Sequence, residues 1–230
     1  MRIVIVGLGG IGTFVTDYLS RFLNYSEGNE DVTVHLIDGD IYEEKNKARQ
    51  TFENIEGVAS KSNVKRIELQ TKFPNVKFKS HFIYLDQDNI HEFIQDKDIV
   101  FICVDNHKTR YLINEHAKNL NNIIIINGGN ELYDGNVQLF IKKGGKNETP
   151  DLTQYHPEIE NFSDKLPHEL SCEERQVSSP QLLFTNMYIA STMLCVFYQC
   201  LNNLDFKNYS EWYFDLRSPL ILDAKQRVAR

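Results

Sequence analysis

Two short apolar runs open the chain, Arg2-Ile-Val-Ile-Val-Gly7 and Val32-Thr-Val-His-Leu-Ile-Asp38; between them Ile11, Val15, Tyr18, Leu19 and Phe22 recur at helical spacing. Unbroken runs of β-branched residues suit strands covered on both faces, so the pattern predicts a β-α-β unit. Further on, Val76–Leu85 mixes alternation with an apolar run, and Asp98–Asp105 reads as a buried strand. Lys108–Leu120 has helical periodicity and Ile123–Asn127 reads as the next strand. This alternation predicts an α/β fold with a doubly wound, mostly parallel, Rossmann-like sheet, whose ligands sit at the carboxyl ends of the strands.

The second half reads differently. Asp134-Gly135 reads as a turn, after which Asn136–Lys142 alternates as an antiparallel extension would. Gly144–Leu170 is rich in proline, glycine and polar residues without a sustained period, which predicts a long crossing loop. Pro180 marks a helix start, and that helix should run towards Leu204. No charged residue falls between Arg175 and Asp205, a length that could cross a bilayer. Gln181, Thr185, Asn186, Ser191, Thr192, Gln199, Asn202 and Asn203 interrupt it, which favours a helix buried in a protein core and no membrane partner. A strand around Trp212–Leu216 and a basic tail from Lys225 to Arg230 complete the pattern. A single domain over 1–230 is expected, with 1–143 as the nucleotide-binding half and 144–230 as crossing loop, buried helix, strand and tail.

Gly7-Leu-Gly9-Gly10-Ile-Gly12 falls between the first strand and the first helix, where backbone N–H groups can receive phosphate oxygens. Asp38 ends the second strand, where a carboxylate would take ribose hydroxyls. Both features fit NAD as well as ATP, so the loop alone does not choose.

The residues that choose lie downstream. Asp38-Gly-Asp40 is followed by Asn46, Arg49 and Gln50, then by Gly57-Val-Ala-Ser-Lys61, Cys103-Val-Asp105-Asn106, Asn127-Gly-Gly and Ser171-Cys172. In order and spacing this set resembles the ThiF/MoeB/ubiquitin-activating-enzyme family, whose members adenylate the C-terminal carboxylate of a ubiquitin-like or sulfur-carrier protein. The resemblance runs from Arg2 to about Leu204. It implies ATP as nucleotide, Mg²⁺ held by Asp105, and triphosphate charge neutralised by Arg49 and Lys61. Asn46 and Gln50 would orient polar groups, Asp38 would take the ribose, and Asp40 would contact or shape the site. Cys172 would attack the acyl adenylate and carry the activated protein as thioester or persulfide. Taken singly, Arg49 and Lys61 read equally as solvated charges, and Asp105 as the N-cap of the helix that follows.

Composition narrows the picture further. The net charge of −7 over 230 residues argues against a nucleic-acid partner, since phosphate binding needs clustered Lys and Arg. A strand beginning at Arg2 leaves no room for a signal peptide, so a cytoplasmic location is expected. The four cysteines form no CxxC pair, so no structural zinc is expected, and Cys103, Cys195 and Cys200 read as structural. Relatives place an arginine before the first strand that reaches a partner's site; here the tail (Arg227, Arg230) or another subunit would substitute. The implied partners are a small β-grasp protein ending in Gly and a second chain, as homodimer or heteromer. Three readings compete: a degenerate nucleotide- or partner-binding subunit, an NAD-dependent oxidoreductase, and a tRNA-modifying cyclase, which the acidic balance disfavours.

Overall fold

The computed structural model describes residues 1–28, 31–43, 46, 59–161, 182–204, 209–218 and 222–229. The predicted opening unit is present as β1 (Arg2–Val6), α1 (Gly10–Tyr25) and β2 (Thr33–Ile37). After α2 (Lys61–Lys72) come β3 (Lys77–His81), a single turn α3 (Ile90–Phe93), β4 (Ile99–Ile102) and α4 (His107–Lys118). Then follow β5 (Ile123–Asn130), β6 (Asp134–Lys143), a short β7 (Lys146–Asn147), α5 (Leu183–Leu201), β8 (Glu211–Asp215) and β9 (Leu222–Lys225).

Among the described residues the strands join one sheet in the order β3-β2-β1-β4-β5-β6-β8-β9, with β7 on β6. The first five of these pair in parallel, and the pairs from β5 to β9 are antiparallel. Two cores explain the unbroken apolar runs. Ile3 and Ile5 of β1, with Phe101 of β4, face α1 and α5, while Val4, Val6, Val100 and Ile102 face α4. Each strand therefore fills both faces by simple alternation. From β1 the chain winds first to β2 and later to β4 on the other side, so the sheet's switch point lies beyond the ends of β1 and β4.

Several boundaries differ from the sequence reading, each for a physical reason. α2 was not anticipated, because its buried side is built from Lys61, Ser62 and Lys65 with only Leu69 apolar. Lys65 is wholly buried and paired with Asp17 Oδ1 at 2.6 Å and Glu68 Oε2 at 3.2 Å. Gly135 lies inside β6 opposite Asn130, and the turn falls instead between them, where Glu131 N donates to Asp134 O at 2.9 Å. A further strand, β9, was not anticipated: it pairs with β8 just before the basic tail, of which only Lys225 belongs to it. α5 opens at Leu183 and closes at Leu201, and Pro180 lies outside the described residues.

The described part of the crossing segment is anchored: Leu152 and Ile159 are buried, and Leu152 N donates to Asn114 Oδ1 at 2.9 Å. No helix among the described residues is long and apolar enough to cross a membrane.

Candidate functional site

The glycine loop sits at the switch point. Gly7 N donates to Ile37 O at 2.9 Å, and Gly7 takes φ +89°, a conformation that disfavours any side chain. Gly12 packs so closely that a Cβ would lie 2.0 Å from Gly7 O. Gly9 caps α1 without a side chain, its carbonyl accepting from Thr13 N and Thr13 Oγ1, and Gly10 is the helix's first residue. On the adjoining strand Cys103 N donates to Val6 O at 2.8 Å, which brings the segment after β4 beside the loop.

Asp38 ties the loop down. Its Oδ2 accepts from Leu8 N at 2.6 Å and its Oδ1 from Asp40 N at 2.8 Å. Burial raises its pKa to about 6, against the lowering influence of Lys61 and with a raising one from Asp40. Anchoring leaves lone pairs for an incoming hydroxyl, because a carboxylate has about four acceptor positions.

Lys61 is the first residue of α2, which Ser60 caps by accepting from Asn63 N at 3.2 Å. Its Nζ donates to Asp40 Oδ2 at 2.9 Å, and the opposite oxygen of Asp40 accepts from Tyr84. Lys61 is only 6% exposed, so the reading as a solvated surface charge does not hold. The chain is pinched here: Ile41 bridges Ser60, Tyr42 N donates to Ala59 O at 2.9 Å, and Lys61 N to Asp40 O at 3.0 Å. Asn46 is buried, with its Oδ1 accepting from Glu43 N at 2.9 Å. Arg49, Gln50 and Cys172 lie outside the described residues.

Asp105 is exposed just past β4. It does not cap α4: Asn106 does, its Oδ1 accepting from Thr109 N at 2.8 Å. No group of three or more His, Cys, Asp or Glu side chains among the described residues is placed to hold a metal. One carboxylate in this position suits Mg²⁺, which keeps waters and phosphates as its other ligands.

Sequence reasoning missed the braces around these groups. Tyr84 reaches Asp40 from beyond β3, and Arg110 Nη2 joins the strand ends by donating to Val104 O at 2.8 Å and Gly128 O at 3.3 Å. Neither carried a local signal, because each contact is made across the fold. Burial pushes the Cys103 thiol up, in keeping with core filling. Cys195, by contrast, is exposed, so its reading as a structural residue is corrected. The arginines at the chain's ends are engaged elsewhere. Arg2 Nη1 donates to Asp98 at 2.8 Å, and Arg227 Nε donates to Glu211 at 2.9 Å; Arg230 is outside the described residues.

A model of the ThiF family matches residues 1–227. The "Adenylyltransferase and sulfurtransferase UBA4" of Candida glabrata is 31% identical over 130 residues, covering 56% of this chain and 28% of that protein. Its namesake in Vanderwaltozyma polyspora is 25% identical over 228 residues, 98% of this chain and 49% of that one. The "SAMP-activating enzyme E1" of Haloferax volcanii is 26% identical over 144 residues, 62% and 50% respectively. The chain thus spans half or less of the length of these curated relatives. Among solved structures, E. coli MccB with ATP matches with a TM-score of 0.75 and 16% identity over 100% of this chain and 64% of that one. PaaA matches with a TM-score of 0.71 and 17% identity over 98% and 64%. With a glycine loop, Asp38 and Asp105 following the parallel strands β1, β2 and β4, and a family model spanning nearly its whole length, the chain belongs to the ThiF family.

Proposed function

We propose that this chain is an adenylyltransferase that uses MgATP to activate the C-terminal carboxylate of a small ubiquitin-like or sulfur-carrier protein of the β-grasp type ending in Gly. The observation that carries the reading is Lys61, buried and held on Asp40 beside the loop-anchoring Asp38. Relatives whose names describe adenylyltransferases and a SAMP-activating enzyme support it. An oxygen of the carrier's carboxylate attacks the α-phosphorus as the bond to pyrophosphate breaks, so the charge on the departing group must be met. Lys61 exchanges Asp40 for a phosphate oxygen, and Arg49 supplies a planar fork for others. Asp38 accepts from the ribose, while Asn46 and Gln50 orient the nucleotide. Asp105 would hold Mg²⁺ by one carboxylate oxygen, and the ion would offset phosphate charge.

The whole of 1–230 serves as one adenylation domain, and the Cys172 thiolate takes the acyl group from the adenylate, releasing AMP and forming a thioester, or an acyl persulfide where a sulfane-sulfur donor has first charged the thiol as a persulfide. The enzyme works as a homodimer or with a second chain that supplies a further cation. ATP–pyrophosphate exchange tests the first step: a cognate carrier should stimulate it, and tight NAD binding without exchange would sink the reading. Cys172→Ala should remove a reductant-sensitive adduct and spare exchange; an adduct that persists refutes the transfer role.

A further inference from the structure

The first turn of α1 and the first turn of α5 meet at one point, and a single amide lies between them. α5 buries Asn186, Ile189, Ala190, Met193, Val196 and Phe197 along one stripe, so Asn186 occupies a position that the later turns give to apolar groups. It has no exposed surface, and among the described residues neither its Nδ2 nor its Oδ1 has a hydrogen-bond partner. The adjacent hydroxyl is satisfied, because Thr185 Oγ1 donates to Leu182 O at 2.7 Å and accepts from Asn130 Nδ2 at 3.0 Å. An amide left unpaired in an apolar interior weakens the fold, whereas leucine of similar size would not.

The amide faces Gly10. A Cβ on residue 10 would lie 2.2 Å from Asn186 Nδ2 and 2.7 Å from its Cγ, so glycine there is what admits the amide. Gly10 opens a helix of 16 residues that has no side-chain cap and no acidic residue in its first turn. The first N–H groups of a helix have no carbonyl within it, so this end is positive and its donors await an acceptor. A buried amide packed against the first residue of that helix offers one further donor from a second helix.

We propose that Asn186 is a phosphate-binding residue: its Nδ2 donates to an anionic oxygen of the nucleotide seated on the N-terminus of α1. The inference rests on the ATP reading above and adds to it a contact from α5. The free protein carries an unpaired polar group that the ligand satisfies, which is how a binding residue trades stability for function. Nucleotide occupancy is thereby felt at the start of α5.

The test is calorimetric titration of MgATP into the full chain and into Asn186→Leu and Asn186→Asp, with thermal midpoints recorded without nucleotide. Both variants should bind MgATP about tenfold or more weakly, the loss expected for a hydrogen bond to a charged group. Asn186→Leu should keep or raise the midpoint while doing so, a split that a merely structural amide would not produce. Should the leucine variant not fold, Asn186→Asp carries the test, because its carboxylate suits a helix N-terminus yet repels phosphate. Unchanged affinity in a folded variant overturns the inference and leaves the ATP reading standing. A wild-type chain that does not bind MgATP overturns both.

Discussion

Asp38 holds its proton more tightly than an ordinary carboxyl because burial outweighs the opposing pull of Lys61 and of the two backbone N–H groups that its oxygens accept. With a folded-state pKa of about 6 against an ordinary 3.8, the folded chain keeps the proton over a window in which the unfolded chain has released it. Asp38 therefore lowers stability as pH rises through that window and has no further effect above it. Asp38→Asn should remove this slope, as thermal midpoints of the two proteins between about pH 4 and about pH 7 will reveal. The carboxylate that accepts the Leu8 N–H is the ionised form, so MgATP affinity should weaken below about pH 6 in the wild type. Lys61 is subject to a different measurement. Its removal by Lys61→Ala should lower ATP–pyrophosphate exchange about a hundredfold, the usual loss for one transition-state donor, and unchanged exchange would remove Lys61 from the mechanism.

At the scale of elements, α2 tests how far charge can replace hydrocarbon. Lys65 has no exposed side-chain surface, while Asp17 is 31% exposed and Glu68 9%. Lys65→Ala should cost about 2–3 kcal/mol in urea denaturation, below the range for a fully buried pair because Asp17 is partly solvated. Lys65→Met should cost less than Lys65→Ala because methionine refills the space of the stem, although it too leaves Asp17 and Glu68 without this cation. This substitution of charge for hydrocarbon is also why α2 was invisible in the hydropathy pattern, whereas β1, α1, β2, β4 and β5 were legible. Their apolar residues repeat at the period of the element that buries them. The glycine loop was legible for a related reason, since close approaches such as that of Gly12 to Gly7 O exclude every other residue. Gly12→Ala has no flexible neighbour to displace and should destabilise the chain by about 1–3 kcal/mol, read as a lower denaturation midpoint. Tyr84, Arg110 and Asn186 were not legible as site residues, because their partners come from distant parts of the chain and no local period announces them.

Over the whole molecule, the tail is joined to the sheet edge and to the crossing segment by one charged cluster. His156 bonds Glu158 at 2.7 Å and Glu211 at 3.1 Å; Tyr213 and Arg227 also hold Glu211. Gln154 and Tyr155 donate to Val228 O, and Arg227 lies over the Tyr155 ring. Burial opposes the charge on His156, but its two carboxylate partners outweigh it and raise its pKa. A group raised in the folded state stabilises fully below its unfolded value and loses that contribution as pH rises through the folded one. The strap should therefore loosen on the alkaline side, with lower amide protection at residues 226–229 once the intrinsic base-catalysed rate is divided out, and His156→Gln should abolish that fall in protection. The pinch between Ile41 and Ser60 acts in the opposite sense, by separating rather than joining. The pairing holds residues 40–42 against 59–61, and the entropy of closing the chain between them rises only slowly with its length. Adding residues between the two sides of the pinch should therefore leave the denaturation midpoint nearly unchanged, whereas replacing Asn46, Arg49 or Gln50 should cost nucleotide affinity at the same midpoint, so stability and chemistry can be altered here one without the other.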